Sequence, residues 1–350
     1  MDLRKYGFMP EMMPEDAQGI PARITAVHKE RYALVCEYGV TYGRLKTKEY
    51  YGGCEEFPTV GDFVLINYIP NGDSRIIRTL PRNSFFSRRD PAPREMEQAV
   101  ASNFDYVFIM QSLNHDFNAK RLERYLTLAW QSGAAPVIVL TKADLVDEYD
   151  SYIRIAEGYA VGVPVYAVSA KTGAGLDALS AYLMPGKTIV FLGSSGVGKS
   201  SLVNALADEE IMTVNGIRED DSKGRHTTTH RQLIMLKNGA MLIDTPGMRE
   251  LGMWDVSSGL GEAFTDVEQY LGKCRFSDCK HQTEPGCAIK EAIANGELSR
   301  KRWESYLSLK AEAKYSDNKT DFLRQKQQRN KNIAKFNRKK KSERKKYGEV

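Results

Sequence analysis

Apolar positions change their spacing along the chain, and the changes divide it. Between Ala22 and Arg78 they come in short β-rich runs bounded by turn formers: Ala22–Val27, Tyr32–Cys36, Asp62–Tyr68 and Arg75–Arg78. This texture predicts a small barrel. An OB-type barrel over 19–82 would offer Arg23, Tyr32, Tyr42, Arg44 and Tyr68 as stacking and phosphate contacts, whereas an SH3-like barrel would use the aromatics as core. Further on, the apolar runs become continuous and alternate with helical spacing. Tyr106–Met110, Pro136–Leu140, Val165–Val168, Thr188–Leu192, Gln232–Leu236 and Ala240–Ile243 read as strands, and Leu122–Trp130 and Ser201–Leu206 as helices. That alternation predicts a parallel α/β sheet over 105–254. Helical spacing returns at Ala288–Ile293 and Arg302–Leu307, within a helical region expected over 255–323. Residues 1–18, rich in Met, Pro and acidic groups without a period, predict a flexible arm, and 83–104 a connector.

Between the strand at Thr188–Leu192 and the following helix lies Gly193-Ser194-Ser195-Gly196-Val197-Gly198-Lys199-Ser200, followed by Ser201. This is a complete G-x-x-x-x-G-K-[ST] pattern in its required strand, loop and helix context. The glycines let backbone amides turn toward a polyphosphate, and the helix adds its positive N-terminal end. Lys199 can reach the outer phosphates and Ser200 can ligate Mg²⁺.

Two loops that follow strands carry the chemistry of a base. Thr141-Lys142-Ala143-Asp144 follows one strand, and Ser169-Ala170-Lys171 follows another, both where α/β folds bind ligands. Guanine presents N1–H and an exocyclic amine side by side, so the Asp144 carboxylate can accept from both. Adenine offers an acceptor there and would leave the carboxylate badly paired. Lys142 can lay its stem along the base, and the amide of Ala170 can donate to O6. Beyond the phosphate loop come Gly224-Arg225-His226-Thr227-Thr228-Thr229 and Asp244-Thr245-Pro246-Gly247. In a nucleotide hydrolase such segments supply a Thr, here Thr228, that closes on Mg²⁺ and the γ-phosphate. They also supply an Asp, Asp244, that holds Mg²⁺ through water, and a Gly amide, Gly247, on the γ-phosphate.

Cysteine content and charge refine this picture. Three of the five cysteines, Cys274, Cys279 and Cys287, lie with His281 within fourteen residues, a closed tetrahedral set for one structural Zn²⁺. An odd cysteine count clustered in this way fits a reducing compartment, and no apolar run approaches a signal peptide or bilayer span, so a cytoplasmic protein is expected. The net charge of +5 hides an asymmetry: residues 324–350 hold twelve Lys/Arg against two Glu, leaving the rest at about −5. Such a block predicts a disordered tail that contacts polyanions. Nothing resembles a coiled coil, and a monomer is expected.

Taken together, T-K-A-D, S-A-K, G-S-S-G-V-G-K-S-S, G-R-H-T-T-T, D-T-P-G and C-x4-C-x-H-x5-C form a GTPase signature set in permuted order, with the base-reading loops first. The chain resembles the ribosome small-subunit-dependent GTPases, the RsgA family, over residues 20 to about 310. The resemblance implies an OB-type barrel, a circularly permuted P-loop GTPase domain and a zinc-binding helical region. It further implies binding to the small ribosomal subunit and its rRNA late in assembly, with subunit-stimulated hydrolysis of GTP to GDP. Two positions depart from the usual GTPase pattern. Thr141 stands where GTPases usually carry Asn, and Met248 where Ras-like proteins carry the water-positioning Gln; the resemblance suggests that His226 places the water instead. Two other readings are open: a zinc-dependent rRNA-binding assembly module whose nucleotide is mainly structural, and a P-loop kinase or ATPase.

Overall fold

In the computed structural model, residues 1–15, 17–28, 31–45, 57–89, 97–114, 117–212, 231–244 and 257–314 are described. Five strands form the N-terminal barrel: β1 (Ile20–His28), β2 (Arg31–Cys36), β3 (Gly39–Leu45), β4 (Phe63–Asn67) and β5 (Asp73–Thr79). They close in the order β1-β2-β3-β5-β4, with β4 returning to β1 and β3 running parallel to β5. This is a five-stranded Greek-key closure of the OB type. Ala22, Ile24, Tyr32, Leu34, Cys36, Val64, Ile66 and Ile76 fill the interior.

The N-terminal arm differs from expectation. Leu3 and Phe8 are buried against the barrel with Val35, Phe63, Leu65 and Leu80, and the Phe8 and Phe63 rings lie 5.5 Å apart. A short 3-10 turn at Leu3–Tyr6, capped by the Asp2 carboxylate, gives too few residues for any period to be read. The connector is likewise built. β6 (Phe85–Arg89) pairs antiparallel with β7 (Glu97–Ser102), and Phe86 stacks on Phe104 at 4.8 Å.

Six strands form the second part of the sheet: β8 (Tyr106–Ser112), β9 (Ala135–Thr141), β10 (Val165–Ala167), β11 (Thr188–Gly193), β12 (Gln232–Met235) and β13 (Met241–Asp244). Their order is β10-β9-β8-β11-β13-β12, parallel except for β12. Alternate residues of β8 serve opposite faces: Val107 and Ile109 join one core, Phe108 and Met110 the other. A strand covered on both sides must be apolar throughout. The first face is covered by α1 (Ala119–Gln131), whose Leu122, Tyr125, Leu126 and Ala129 point inward, and α2 (Asp150–Tyr159) packs alongside. The second carries α3 (Lys199–Ala207). After β13 come α4 (Ser257–Ala263), α5 (Thr265–Glu268), α6 (Ala288–Ala294) and a last helix, α7, over 300–314.

Two buried arginines tie these parts together. Arg302, on α7, binds Glu123 of α1 at 2.6 Å and Asp266 of α5 at 2.9 and 3.0 Å, and lies 3.9 Å over the Phe264 ring. Burial pushes the Glu123 carboxyl above its ordinary range, against the pull of Arg302. Arg23 is 1 % exposed. It donates to the carbonyls of Tyr6, Gly61 and Asn103 and to Thr188 Oγ1, joining arm, barrel, connector and β11. Burial holds its pKa down to about 10, so it stays charged at neutral pH.

Replacing Arg23 with Met would keep the volume and strand those carbonyls. We expect a loss of about 2–4 kcal/mol, read as a lower denaturant midpoint for the whole chain.

Candidate functional site: a joined base-reading and phosphate loop

The loops that leave the carboxyl ends of β9, β10 and β11 converge at one edge of the sheet, where β13 ends at Asp244, the position at which open α/β sheets bind ligands. β11 ends at Gly193, where an added Cβ would lie 3.0 Å from Met110 O and 3.1 Å from the Val197 side chain. That approach is tight, and a side chain there would push on β8 and on Val197. Gly196 and Gly198 adopt φ of 74° and 98°, the left-handed region that glycine enters without strain. Ser194 and Val197 close a turn through Val197 N–H to Ser194 O. Lys199 then opens α3, followed by Ser200 and Ser201, both half-buried. The Lys199 ammonium lies 2.5 Å from Asp244 Oδ1, at the buried end of β13.

The base-reading loop touches the phosphate loop directly. Thr141, buried at the end of β9, donates its hydroxyl to Val197 O at 2.5 Å, and Lys142 Nζ donates to Gly196 O at 2.7 Å. Lys142 itself holds φ 61°, which turns the chain sharply after β9 and places Ala143 against the core and Asp144 in solvent. Ala143 N–H bonds Val168 O, tying this loop to the one after β10. From that second loop the buried Ser169 hydroxyl donates to Asp144 Oδ1 at 2.6 Å, while accepting from Thr172 N–H. Ala170 follows half-buried and Lys171 exposed. The loop that carries Asp144 and Lys142 thus packs directly on the loop of turned glycines.

The profile of the RsgA GTPase family matches residues 79–254. The chain belongs to the RsgA GTPase family. "Small ribosomal subunit biogenesis GTPase RsgA 1" of Listeria innocua is 46% identical over 96% of this chain and 96% of its own length. "Small ribosomal subunit biogenesis GTPase RsgA" of Methanosarcina acetivorans is 44% identical over 75% of this chain and 72% of its own. The crystal structure of YjeQ from Thermotoga maritima aligns with a TM-score of 0.62 at 28% identity, covering 83% of this chain and 96% of that one. YloQ, described as a circularly permuted GTPase, has the same fold, with a TM-score of 0.59 at 23% identity over 86% and 97% of the two chains. An ABC transporter profile also matches, over 176–346. It takes in the strand, phosphate loop and helix that P-loop nucleotide hydrolases share, and leaves out Thr141 to Asp144.

RsgA-family motifs outside the phosphate loop divide by position. His226, Thr228 and Gly247 lie outside the described residues, as do Met248 and the basic tail 324–350. The four metal-type residues come together. His281 Nδ1 lies 3.4, 3.7 and 3.4 Å from the sulfurs of Cys274, Cys279 and Cys287, and all four donor atoms fall within 4.8 Å of one another. Tetrahedral Zn²⁺ with ordinary Zn–S and Zn–N bonds places its ligands about 3.5–3.8 Å apart, so the set fits such an ion. Glu284 was missed from sequence. Its carboxylate gathers its own amide and those of Lys280, Gln282 and Thr283, which hold it down to about 2 and fold the chain between the ligands. A surface glutamate three residues from a ligand carries no signal for such a role.

On the barrel the expected contact face is corrected. Arg23 and Tyr32 are buried, one in the junction and one in the core. Tyr42, Arg44 and Tyr68 reach the surface. Arg31 lies 3.8 Å over the Tyr42 ring, and Asp73 pairs with both Arg31 and Arg44 and is held below the usual carboxylate range by them. Tyr38, 63 % exposed and stacked on Tyr68 at 4.6 Å, belongs to this face and was also missed.

Replacing Ser169 with Ala frees the Asp144 carboxylate to rotate. GTP affinity should fall about tenfold, or ~1.4 kcal/mol, with the preference over ATP narrowing in the same calorimetric titration.

Proposed function

We propose that this chain is a GTP hydrolase that binds the small ribosomal subunit late in its assembly, is stimulated by it, and uses the change from GTP to GDP to control its own release. The observation that supports this reading is the joint between the two loops, in which Thr141 and Lys142, beside Asp144, bond the carbonyls of Val197 and Gly196, so that the Asp144 carboxylate and the amides of residues 193–201 would share a single ligand. The names of its relatives, small ribosomal subunit biogenesis GTPases from Listeria and Methanosarcina, support the partner.

In this reading Asp144 accepts from the guanine N1–H and amine, Lys142 lies along the base and the Ala170 amide donates to O6. The amides of the phosphate loop and Lys199 stabilise charge on the outer phosphates as the bond to the γ-phosphate breaks. Ser200, Thr228 and, through water, Asp244 would hold magnesium, which would supply positive charge to offset that of the phosphates. The Gly247 amide would meet the γ-phosphate, and His226 would place the attacking water, since a thioether at residue 248 cannot. The Lys199–Asp244 pair gives entry a chemical logic. Each group is the other's counter-ion until a metal–polyphosphate complex supplies a cation to one and an anion to the other.

The barrel face with Tyr38, Tyr42, Tyr68, Arg31 and Arg44 combines stacking surfaces with guanidinium groups, a composition that suits rRNA. The tail 324–350 would add phosphate contacts. The Cys274, Cys279, His281 and Cys287 set is read as one structural zinc, with no open position for a catalytic water. Because β13 leads into the zinc region, we further propose that nucleotide exchange loosens residues 255–320.

Purified small subunits should raise single-turnover GTP hydrolysis by at least tenfold, with GTP outcompeting ATP for the free protein. Absence of stimulation would favour an assembly module with a structural nucleotide. His226→Ala should lose the stimulated rate while keeping nucleotide affinity. Asp244→Asn, which frees Lys199, should tighten binding of GDP in EDTA while lowering hydrolysis in magnesium; equal GDP affinity of the two proteins in EDTA would contradict the counter-ion exchange. Metal analysis should return one zinc per chain, and Cys279→Ser should lose that zinc together with protection from hydrogen exchange over 274–294.

A further inference from the structure

We infer that Thr141 is committed to the phosphate loop, so that this chain recognises guanine without a contact to the purine N7. The inference rests on the guanine reading of Asp144 given above. A threonine hydroxyl carries one proton. Here Oγ1 faces two carbonyls, Val197 O at 2.5 Å and Gln111 O at 3.4 Å, in a buried position, and carbonyl oxygens only accept. The proton is therefore taken within the protein. Guanine N7 is also only an acceptor. A hydroxyl whose proton lies on Val197 O has nothing left to offer it. An asparagine at the same place would carry two N–H groups and a carbonyl, enough to hold the loop and reach the base together.

The same bond gives Thr141 a positive role. In a trans peptide the C=O and the next N–H point in opposite directions. Anchoring Val197 O toward the base-reading loop thus turns the Gly198 N–H away from it, which would leave that amide for a phosphate. Gly198 has φ 98°, and an added Cβ there would sit 3.9 Å from Thr141 Oγ1 and from Lys142 Cε, so this peptide runs directly beneath the base-reading loop. Lys142 fixes the preceding carbonyl, Gly196 O, in the same manner at 2.7 Å. Thr141 is accordingly a positioning residue for a phosphate-binding amide, and its absence from the base edge follows from that duty.

The test compares GDP, 7-deaza-GDP and ADP by calorimetry on the full-length protein and on T141N, T141S and T141V. Wild type and T141S should bind GDP and 7-deaza-GDP within twofold of each other and reject ADP by at least a hundredfold. T141N should lose at least fivefold on 7-deaza-GDP, because its second N–H can reach N7. T141V should weaken GDP and 7-deaza-GDP by the same factor, about fivefold to tenfold. A tenfold loss on 7-deaza-GDP by the wild type, with ADP still rejected, would overturn this inference alone. ADP binding as tightly as GDP would overturn the Asp144 reading and this inference with it. The wild-type measurement decides the matter even where a variant fails to fold.

Discussion

Two hydrogen bonds, from Thr141 and Lys142 to the carbonyls of Val197 and Gly196, hold together the two loops of the candidate site. The residues they join are 56 and 54 positions apart. Their meeting is possible because β8 lies between β9 and β11 in the sheet, so the loops from β9 and β11 leave the same edge one strand apart. The two bonds fix the loops against each other. Gly196 and Gly198 are permissive in backbone conformation, and permissive residues need an external constraint to define one arrangement. The permutation does not disturb this, since convergence depends on strand order in space and not on the order in which the chain visits the strands.

A second level of order concerns the parts around the GTPase sheet. Arg302 gathers one carboxylate from α1 and one from α5, and Gly259 of α4 fits so closely against α1 that an added Cβ would lie 2.3 Å from Thr127 O. The helices behind the sheet are thereby fastened to it through buried charge and backbone contact. His281 meets the edge of the Trp303 ring at 5.4 Å, and Trp303 stacks on Tyr306, so the Cys/His cluster rests on α7 and through it on α1. A charged group held by two oppositely charged partners in a dry interior tolerates little displacement, because moving any one of them exposes an uncompensated charge.

Much of this was legible in the sequence, for identifiable reasons. Strands such as Tyr106–Ser112 are apolar throughout because both faces are covered, and the phosphate loop announces itself through glycines that only a phosphate cradle requires together. What escaped reading did so because it depends on parity or on distant partners. Tyr32 and Tyr42 look alike in sequence, yet one fills the barrel and the other leaves it, according to which side of the pleat each falls on. Arg23 reads as a surface cation, and it is oxygen acceptors drawn from residues 6, 61, 103 and 188, with the Met241 sulfur beside them, that make its burial tolerable. The connector was obscured by Pro91 and Pro93, which fall between the two strands of a hairpin and not within either.

The barrel and the GTPase sheet share one continuous ladder, because Ala26 of β1 pairs with Gln232 of β12. Next to that seam, Arg231 donates to Ala99 O of the hairpin. At the other end of the stretch preceding β12, Met212 is clasped by both polar atoms of the Asn204 amide. Met212 and Arg231, the described residues on either side of the histidine and threonine motif, are therefore both anchored, one to the helix that begins at the phosphate cradle and one beside the barrel. Through Gln232, the strand that follows Arg231 is seated directly on β1, so a displacement of β12 reaches the barrel through main-chain pairing and needs no separate lever.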